Sequence, residues 1–408
     1  MCRLCGARLR HLVVDLGTTP LANDFLRADQ LAESEPRYPL RAMVCSDCWL
    51  VQLDHCLDPH RIFSTYAYFS SYSETYRAHA DAYVAWAVTA GALAAGTPVV
   101  EVASNDGYLL GRLAAHGGDV LGVEAAVNIA AVATSRGIPT LNRFFGAAVA
   151  RYIVSERGRA RLVIANNVLA HVPDLRDFLE GLRVLLAADG LATIEVHDVR
   201  QLVEGSQFDH IYHEHCQYFS LTSARAALAR HGLDVVDVEA IASENGSLRL
   251  HVRHAGAMAA GPRVAERLAE DDAAGVRDVA FYARLAGAAR DAVGALRYFL
   301  DTAAADGRSV VAYGAAAKGN TLLNAGGIGA DRVQYVVDRN PFKQGLFLPG
   351  SRLPIHAPER VFKTRPDYLL ILPWNFSQEI MQQMLDIKVW GGRFVLPLPT
   401  PRIMAGPP

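Results

Sequence analysis

Short apolar runs, each followed by a glycine or a polar turn, recur through the middle and last thirds of the chain and are separated by stretches with helical spacing. PVVEVASNDG reads as a strand and turn, YLLGRLAAHG as a helix, and DVLGVEAA as a strand. After a further helix come ARLVIANNVLAHV, another helix and GLATIEVHDV. Strands alternating with helical stretches predict a parallel sheet covered on both faces. A helical region opens near Pro262, a residue suited to a first helical position, and runs to about Ala305. A second alternation follows in RSVVAYGAAAKGNTLLNAGG, RVQYVVDRNPFKQGLFLPG, PDYLLILPWN and GGRFVLPLP, which predicts a separate nucleotide-type α/β unit. Residues 1 to about 60 differ: they hold only short β-like runs (HLVVDL, RAMVCSDCWLVQL) around the loop TTPLANDF, with too little apolar mass to stand without a staple.

A chain of 408 residues is long for one core. The pattern divides it into a small N-terminal domain over residues 1–65, an α/β domain over 66–260 and a second over 261–408. Hydrophobic residues at 51%, charged residues at 20% and a formal charge of -2 suit a globular enzyme and give no reason to expect a nucleic-acid partner. No run of about 18 uncharged apolar residues occurs, and the start MCRLCGARLR lacks the apolar core of a secretory signal. The expectation is a cytoplasmic protein without a membrane partner, acting as a monomer or homodimer.

In a reducing compartment, paired CxxC motifs bind metal more often than they form disulfides. Cys2, Cys5, Cys45 and Cys48 form two such pairs and would complete a tetrahedral thiolate site for structural Zn2+, with no position open for chemistry. A nucleic-acid-binding zinc ribbon is the competing use, but the region mixes acidic residues among its arginines and carries no basic stripe.

Two further segments carry chemistry. In Glu101, Val102, Ala103, Ser104, Asn105, Asp106 and Gly107 a buried strand runs into a turn of small residues, which lets backbone approach a cofactor near a helix N-terminus. One strand later stands Glu124, placed to accept hydrogen bonds from ribose hydroxyls. With a single glycine the turn is a poor dinucleotide fingerprint. The second segment, FDHIYHEHCQYFS over residues 208–220, packs imidazole, carboxylate and phenol groups that can take a proton from a carbon acid near neutral pH. A metal here would lack a third ligand at good spacing. His171, at the end of a strand of the first sheet, would face the same cleft or serve as a core histidine.

The paired CxxC lobe, EVASNDG and FDHIYHEHCQYFS, with YGAAAKGNTLLN and WNFSQEI toward the end, resemble the sugar C-methyltransferases of deoxysugar biosynthesis, in the expected order from Cys2 to about Gly392. The resemblance implies a zinc-binding N-terminal domain, a Rossmann-like methyltransferase domain and a second, C-terminal Rossmann-like domain that helps hold a nucleotide-sugar. It implies methyl transfer from S-adenosylmethionine to C3 or C5 of a dTDP-keto-deoxysugar. By motif position Glu101 to Gly107, Glu124 and Asn167 would line the cofactor. His215 would be the base, with Glu214, Tyr212 and His171 around it. Tyr66, Tyr68 and Asn245 would approach the sugar, and Lys318, Asn320, Lys343 and Arg352 the diphosphate. Methylation of oxygen or nitrogen on another acceptor, or nucleotide-sugar binding without catalysis, are the alternatives. The chain departs from the family pattern at His197-Asp198, where a Pro-Tyr pair is common, and at Cys216, where an aromatic or apolar residue is usual; both bear on the acceptor.

Overall fold

The computed structural model describes residues 1–64, 66, 69–241 and 246–405. Three sheets organise them. The middle sheet has seven strands, in the order Leu233–Ile241, Ser247–His254, Leu186–His197, Ala160–Asn166, Pro98–Val102, Asp119–Val123 and Thr140–Leu141. The last five run parallel, as their unbroken apolar stretches predict, while Ser247–His254 pairs antiparallel with both neighbours. Helices cover both faces. In Leu175–Leu185 the side chains Leu175, Phe178, Leu179, Leu182 and Leu185 share one buried stripe, and Asp174 caps the start by accepting from Asp177 N at 3.1 Å.

The last sheet runs Ile355–His356, Val336–Val337, Val310–Tyr313, Tyr368–Ile371, Arg393–Leu396 and Arg402–Met404, parallel except for its final strand. The helical region expected from Pro262 to Ala305 is two helices, Pro262–Ala274 and Val279–Ala305, separated at Gly275, whose φ of 86° ends the first in a left-handed cap. The first lies against the middle sheet, burying Val264 there; the second packs under the N-terminal lobe and the last sheet.

The N-terminal lobe is an antiparallel sheet of His11–Thr19, Tyr38–Val44 and Val51–Leu53, and its fourth strand, Gln217–Tyr218, comes from the end of the histidine-rich segment. Its apolar face, including Val13, Val14, Leu40 and Ala42, packs into one core with Phe281, Tyr282, Leu285 and Ala289 of the long helix. The lobe therefore borrows a core as well as using a staple. No helix among the described residues is long and apolar enough to cross a membrane.

Where the first strand of the last sheet turns into its helix, Gly314 adopts φ 95°, and a Cβ there would lie 2.3 Å from Pro373 Cδ. Strain and overlap add at this point, so Gly314→Ala should destabilise the chain by about 2–4 kcal/mol. Differential scanning calorimetry would read this as a lowered midpoint for the transition that includes the last sheet.

Candidate active site and zinc knuckle

The four cysteine Sγ atoms expected to hold zinc lie within 4.8 Å of one another, with Cys2 and Cys48, and Cys5 and Cys45, each 3.5 Å apart. A tetrahedron of Zn–S bonds has edges of about 3.8 Å, so the donor set fits the ion and fills its coordination shell. Gln52 donates to Cys2 Sγ at 3.2 Å and accepts from Arg3 N at 2.9 Å. Arg3 donates in turn to the carbonyls of Leu53 at 2.7 Å and Cys216 at 3.1 Å. The knuckle is thereby joined to the residue that follows His215.

A cleft of about 650 Å³ opens between the carboxyl ends of the middle sheet, the N-terminal lobe and the last sheet. At one end stand Glu101, Ala103, Asn105, Glu124 and Asn167. Ala103 (φ 57°), Asn105 (φ 50°) and Gly107 (φ 75°) all take left-handed conformations, so the turn has the shape of a glycine-rich loop with only one glycine. Glu124 holds it by accepting from Asn105 N at 3.0 Å and Ala126 N at 2.9 Å. Glu101 is 2% exposed, and its Oε2 accepts no hydrogen bond from any described residue. Burial, with the carboxylates of Glu124, Asp106 and Glu195 adding to it, pushes its pKa well up. A buried carboxyl with an unmet acceptor is suited to a cationic ligand, and S-adenosylmethionine carries an ammonium and a sulfonium.

Three residues expected at this cofactor turn lie behind it. Ser104 is fully buried and close to Gly122, where a Cβ would come 2.4 Å from its Oγ. Asp106, fully buried, pairs with Arg136 at 3.0 Å and accepts from Ser71. Gly107 leaves room for Ile138, 3.0 Å from where its Cβ would stand.

The candidate acid-base residues come from a short 3-10 turn, Phe208–His210, and the loop after it. His215 Nδ1 donates to the His210 carbonyl at 3.0 Å, because a carbonyl can only accept. In the neutral ring this leaves Nε2 as the lone-pair nitrogen, and Tyr212 Oη donates to it at 2.7 Å. His171 Nδ1 likewise donates to the Glu214 carbonyl at 2.9 Å, and its ring meets that of His215 edge-on at 4.7 Å. Burial, reinforced by His171, holds His215 well below the usual imidazole pKa, and burial lowers His171 to about 4. Glu214 sits behind the wall: its carboxylate accepts from Asn23 Nδ2 at 2.7 and 2.9 Å and from Tyr66 Oη at 2.8 Å, and both partners line the cleft.

From the last sheet come Lys318, donating to Asn375 Oδ1 at 2.7 Å, and Lys343, donating to the Ala315 carbonyl at 2.7 Å; both are buried on the cleft wall. Two companions expected with them are elsewhere. Asn320 donates to the Ala22 carbonyl at 3.1 Å and ties down the N-terminal loop. Arg352, exposed, clamps Glu35 and the carbonyls of Leu31 and Glu33. Tyr68 and Asn245 lie outside the described residues.

Residues given no role by the sequence also line the cleft, Asn23 and Glu195 among them, together with His210 of the histidine-rich segment and His197 of the pair that departs from the family pattern. Arg249 donates to Glu195 at 2.7 and 2.8 Å, and the His79 ring lies 2.9 Å from it. His197 stacks on His210 at 4.0 Å, whereas Asp198 turns inward to Arg267. Glu195 stands near the end of a strand of the parallel part of the sheet, where the crevice rule for open α/β sheets would have found it.

Family models for a zinc binding domain, a methyltransferase domain and a C-methyltransferase C-terminal domain match residues 2–63, 76–238 and 242–399. The chain is similar to the C-methyltransferase NovU of Streptomyces niveus, with 38% identity over 405 residues that cover 99% of this chain and 96% of the relative. Among solved structures it is similar to the magnesium protoporphyrin IX methyltransferase of Synechocystis PCC 6803 with bound SAM, at 19% identity over 43% of this chain and 79% of the other, with a TM-score of 0.34. It is also similar to the PH0226 protein of Pyrococcus horikoshii OT3, at 16% identity over 48% and 97%, with a TM-score of 0.37.

Metal analysis should find one zinc per chain, absent from Cys45→Ser. Because the knuckle is tied to the Cys216 carbonyl, the loss should lower turnover as well as the melting temperature; unchanged turnover in a zinc-free chain would contradict this coupling.

Proposed function

The chain belongs to the sugar C-methyltransferase family and is an S-adenosylmethionine-dependent methyltransferase with a zinc-binding domain, and on that premise we propose that it methylates the carbon alpha to the ketone of a dTDP-linked keto-deoxysugar. The observation that carries this reading is the fixed tautomer of His215: with Nδ1 committed to the His210 carbonyl, Nε2 is the basic nitrogen on the cleft wall.

S-adenosylmethionine supplies an electrophilic methyl group when bound. Glu101, Ala103, Asn105, Glu124 and Asn167 would hold it, with the buried carboxyl of Glu101 placed to meet its positive charge. Lys318 and Lys343 meet the diphosphate of the acceptor, and Tyr66 its sugar. As the sugar enters, the Tyr212 hydroxyl moves from Nε2 to the ketone oxygen, and Nε2 takes the alpha proton. Charge that develops on that oxygen is stabilised by a donor already in place, which lowers the barrier to the enolate. The imidazolium would then keep the proton while the enolate carbon takes the methyl group and the sulfur departs with the bonding electron pair as a neutral thioether, positioning in the cleft supplying the rest. Residues 1–65, 66–260 and 261–408 divide the work into a metal-stapled wall, a donor site and a nucleotide-sugar site, and the enzyme acts in the cytoplasm.

Methyl-labelled S-adenosylmethionine should pass its label to a ring carbon of a dTDP-keto-deoxysugar, as NMR of the product would show; label on oxygen or nitrogen would refute the reading. His215→Asn should lower kcat by about 10²- to 10⁴-fold and abolish exchange of the alpha hydrogen with D2O. Since burial lowers the His215 pKa, its neutral base form persists to lower pH than in a free imidazole. The acid limb of kcat should therefore fall below pH 6.5, the ordinary histidine value, and not at it.

A further inference from the structure

Glu214 does not open onto the cleft, but the two side chains it holds do. A carboxylate can only accept hydrogen bonds, so Asn23 must turn its amide nitrogen, and Tyr66 its hydroxyl hydrogen, toward Glu214. This settles the orientation of the Asn23 amide by chemistry. With Nδ2 lying 2.7 and 2.9 Å from the two carboxylate oxygens, Oδ1 is the end that Glu214 does not engage. No described residue donates to it.

The loop that carries Asn23 is pinned from the last domain on both sides. Asn320 donates to the Ala22 carbonyl at 3.1 Å, and Leu26 and Phe347 exchange two backbone hydrogen bonds of 2.9 Å. Asn23 therefore offers the cleft an acceptor that is fixed in polarity by Glu214 and in position by the last domain.

We propose that Asn23 Oδ1 recognises a ring hydroxyl of the acceptor sugar, which makes Asn23 a specificity-determining residue supplied by the zinc lobe and Glu214 the positioning residue behind it. The inference rests on the nucleotide-sugar reading of the site. A hydroxyl entering the cleft loses its water partners and regains one at Oδ1. A sugar with hydrogen at that carbon strips water from Oδ1 and returns nothing, an asymmetry that lets a small polar contact discriminate strongly. Burial raises the Glu214 pKa, and against it the hydrogen bonds from Tyr66 and Asn23 and the field of Lys343 favour the carboxylate; the close approach of Asn23 Nδ2 to both of its oxygens is the geometry of an amide nitrogen donating to that form.

The test is calorimetric binding, without methyl donor, of dTDP-4-keto-6-deoxyglucose and of its 2-deoxy and 3-deoxy forms. The wild type should bind the parent about tenfold more tightly than one of the two deoxy forms, the effect of one well-placed hydrogen bond. Asn23→Ala should close that gap to about twofold while leaving the other deoxy form in its wild-type relation to the parent. Glu214→Gln, whose amide can donate to Oδ1 and let Asn23 reverse, should close it too. Zinc content and melting temperature at wild-type values would separate recognition from damage to the fold. A gap that survives in both variants, a wild type indifferent to both hydroxyls, or an equal loss for all three ligands would overturn the proposal. A wild type that binds none of them would instead sink the nucleotide-sugar reading, and this inference with it.

Discussion

The backbone pairing of Val51 with Tyr218 and of Gln52 with Gln217 is the constraint on which the site depends. Residues 208–218 contain only a 3-10 turn and a two-residue strand, and the hydrogen bonds among His210, Tyr212 and His215 are local, so the place of the segment against the sheets is fixed from outside it. The order is lent by the zinc lobe. Its third strand accepts the segment as a fourth, and Arg3 fastens the join through the carbonyls of Leu53 and Cys216. Gln52 belongs both to that strand and to the surroundings of the metal, since its amide donates to Cys2 Sγ. A metal remote from the chemistry thus sets the geometry of the proposed base, as outer ligands tune an inner site.

The second constraint is electrostatic. Burial holds the rings of His171, His210 and His215 neutral and raises the pKa values of Glu101 and Glu124. The two tendencies lie along one cleft. Imidazoles kept neutral have a lone pair available at neutral pH, and a carboxyl that is costly to ionise alone gains most from a cation beside it. The single-glycine turn belongs to the same design: Ala103 and Asn105 keep left-handed conformations that few residues tolerate, held there by Glu124 and the flanking strand.

Much of the fold was legible because it rests on local pattern. Apolar runs such as VVEV and LVIA, ended by turns, marked the parallel strands, and paired CxxC spacing marked the metal. The break at Gly275 was missed because alanine-rich composition carries helical propensity through it. In the candidate site, the segment that bears His215 was legible from its density of proton-transfer groups. What could not be read was which way each side chain turns. Ser104 and Asp106 face inward from a turn whose neighbours face the cleft, and Glu214 stands behind partners drawn from distant lobes. Asn23 carries no local signal, since its partner is 191 residues away and spacing cannot encode such a meeting.

That separation bears on how the molecule assembles. On the proposed reading, Glu101, Ala103, Asn105 and Glu124 of the donor end come from strands and turns between Pro98 and Glu124, close in sequence and quick to meet once the central strands pair, with Asn167 added from a neighbouring strand's end. The acceptor end needs contacts spanning 191 residues, from Asn23 to Glu214, and 298, from Ala22 to Asn320. Loop closure on that scale comes late, so a nascent chain would complete the proposed sulfonium end of the cleft before the proposed acceptor end.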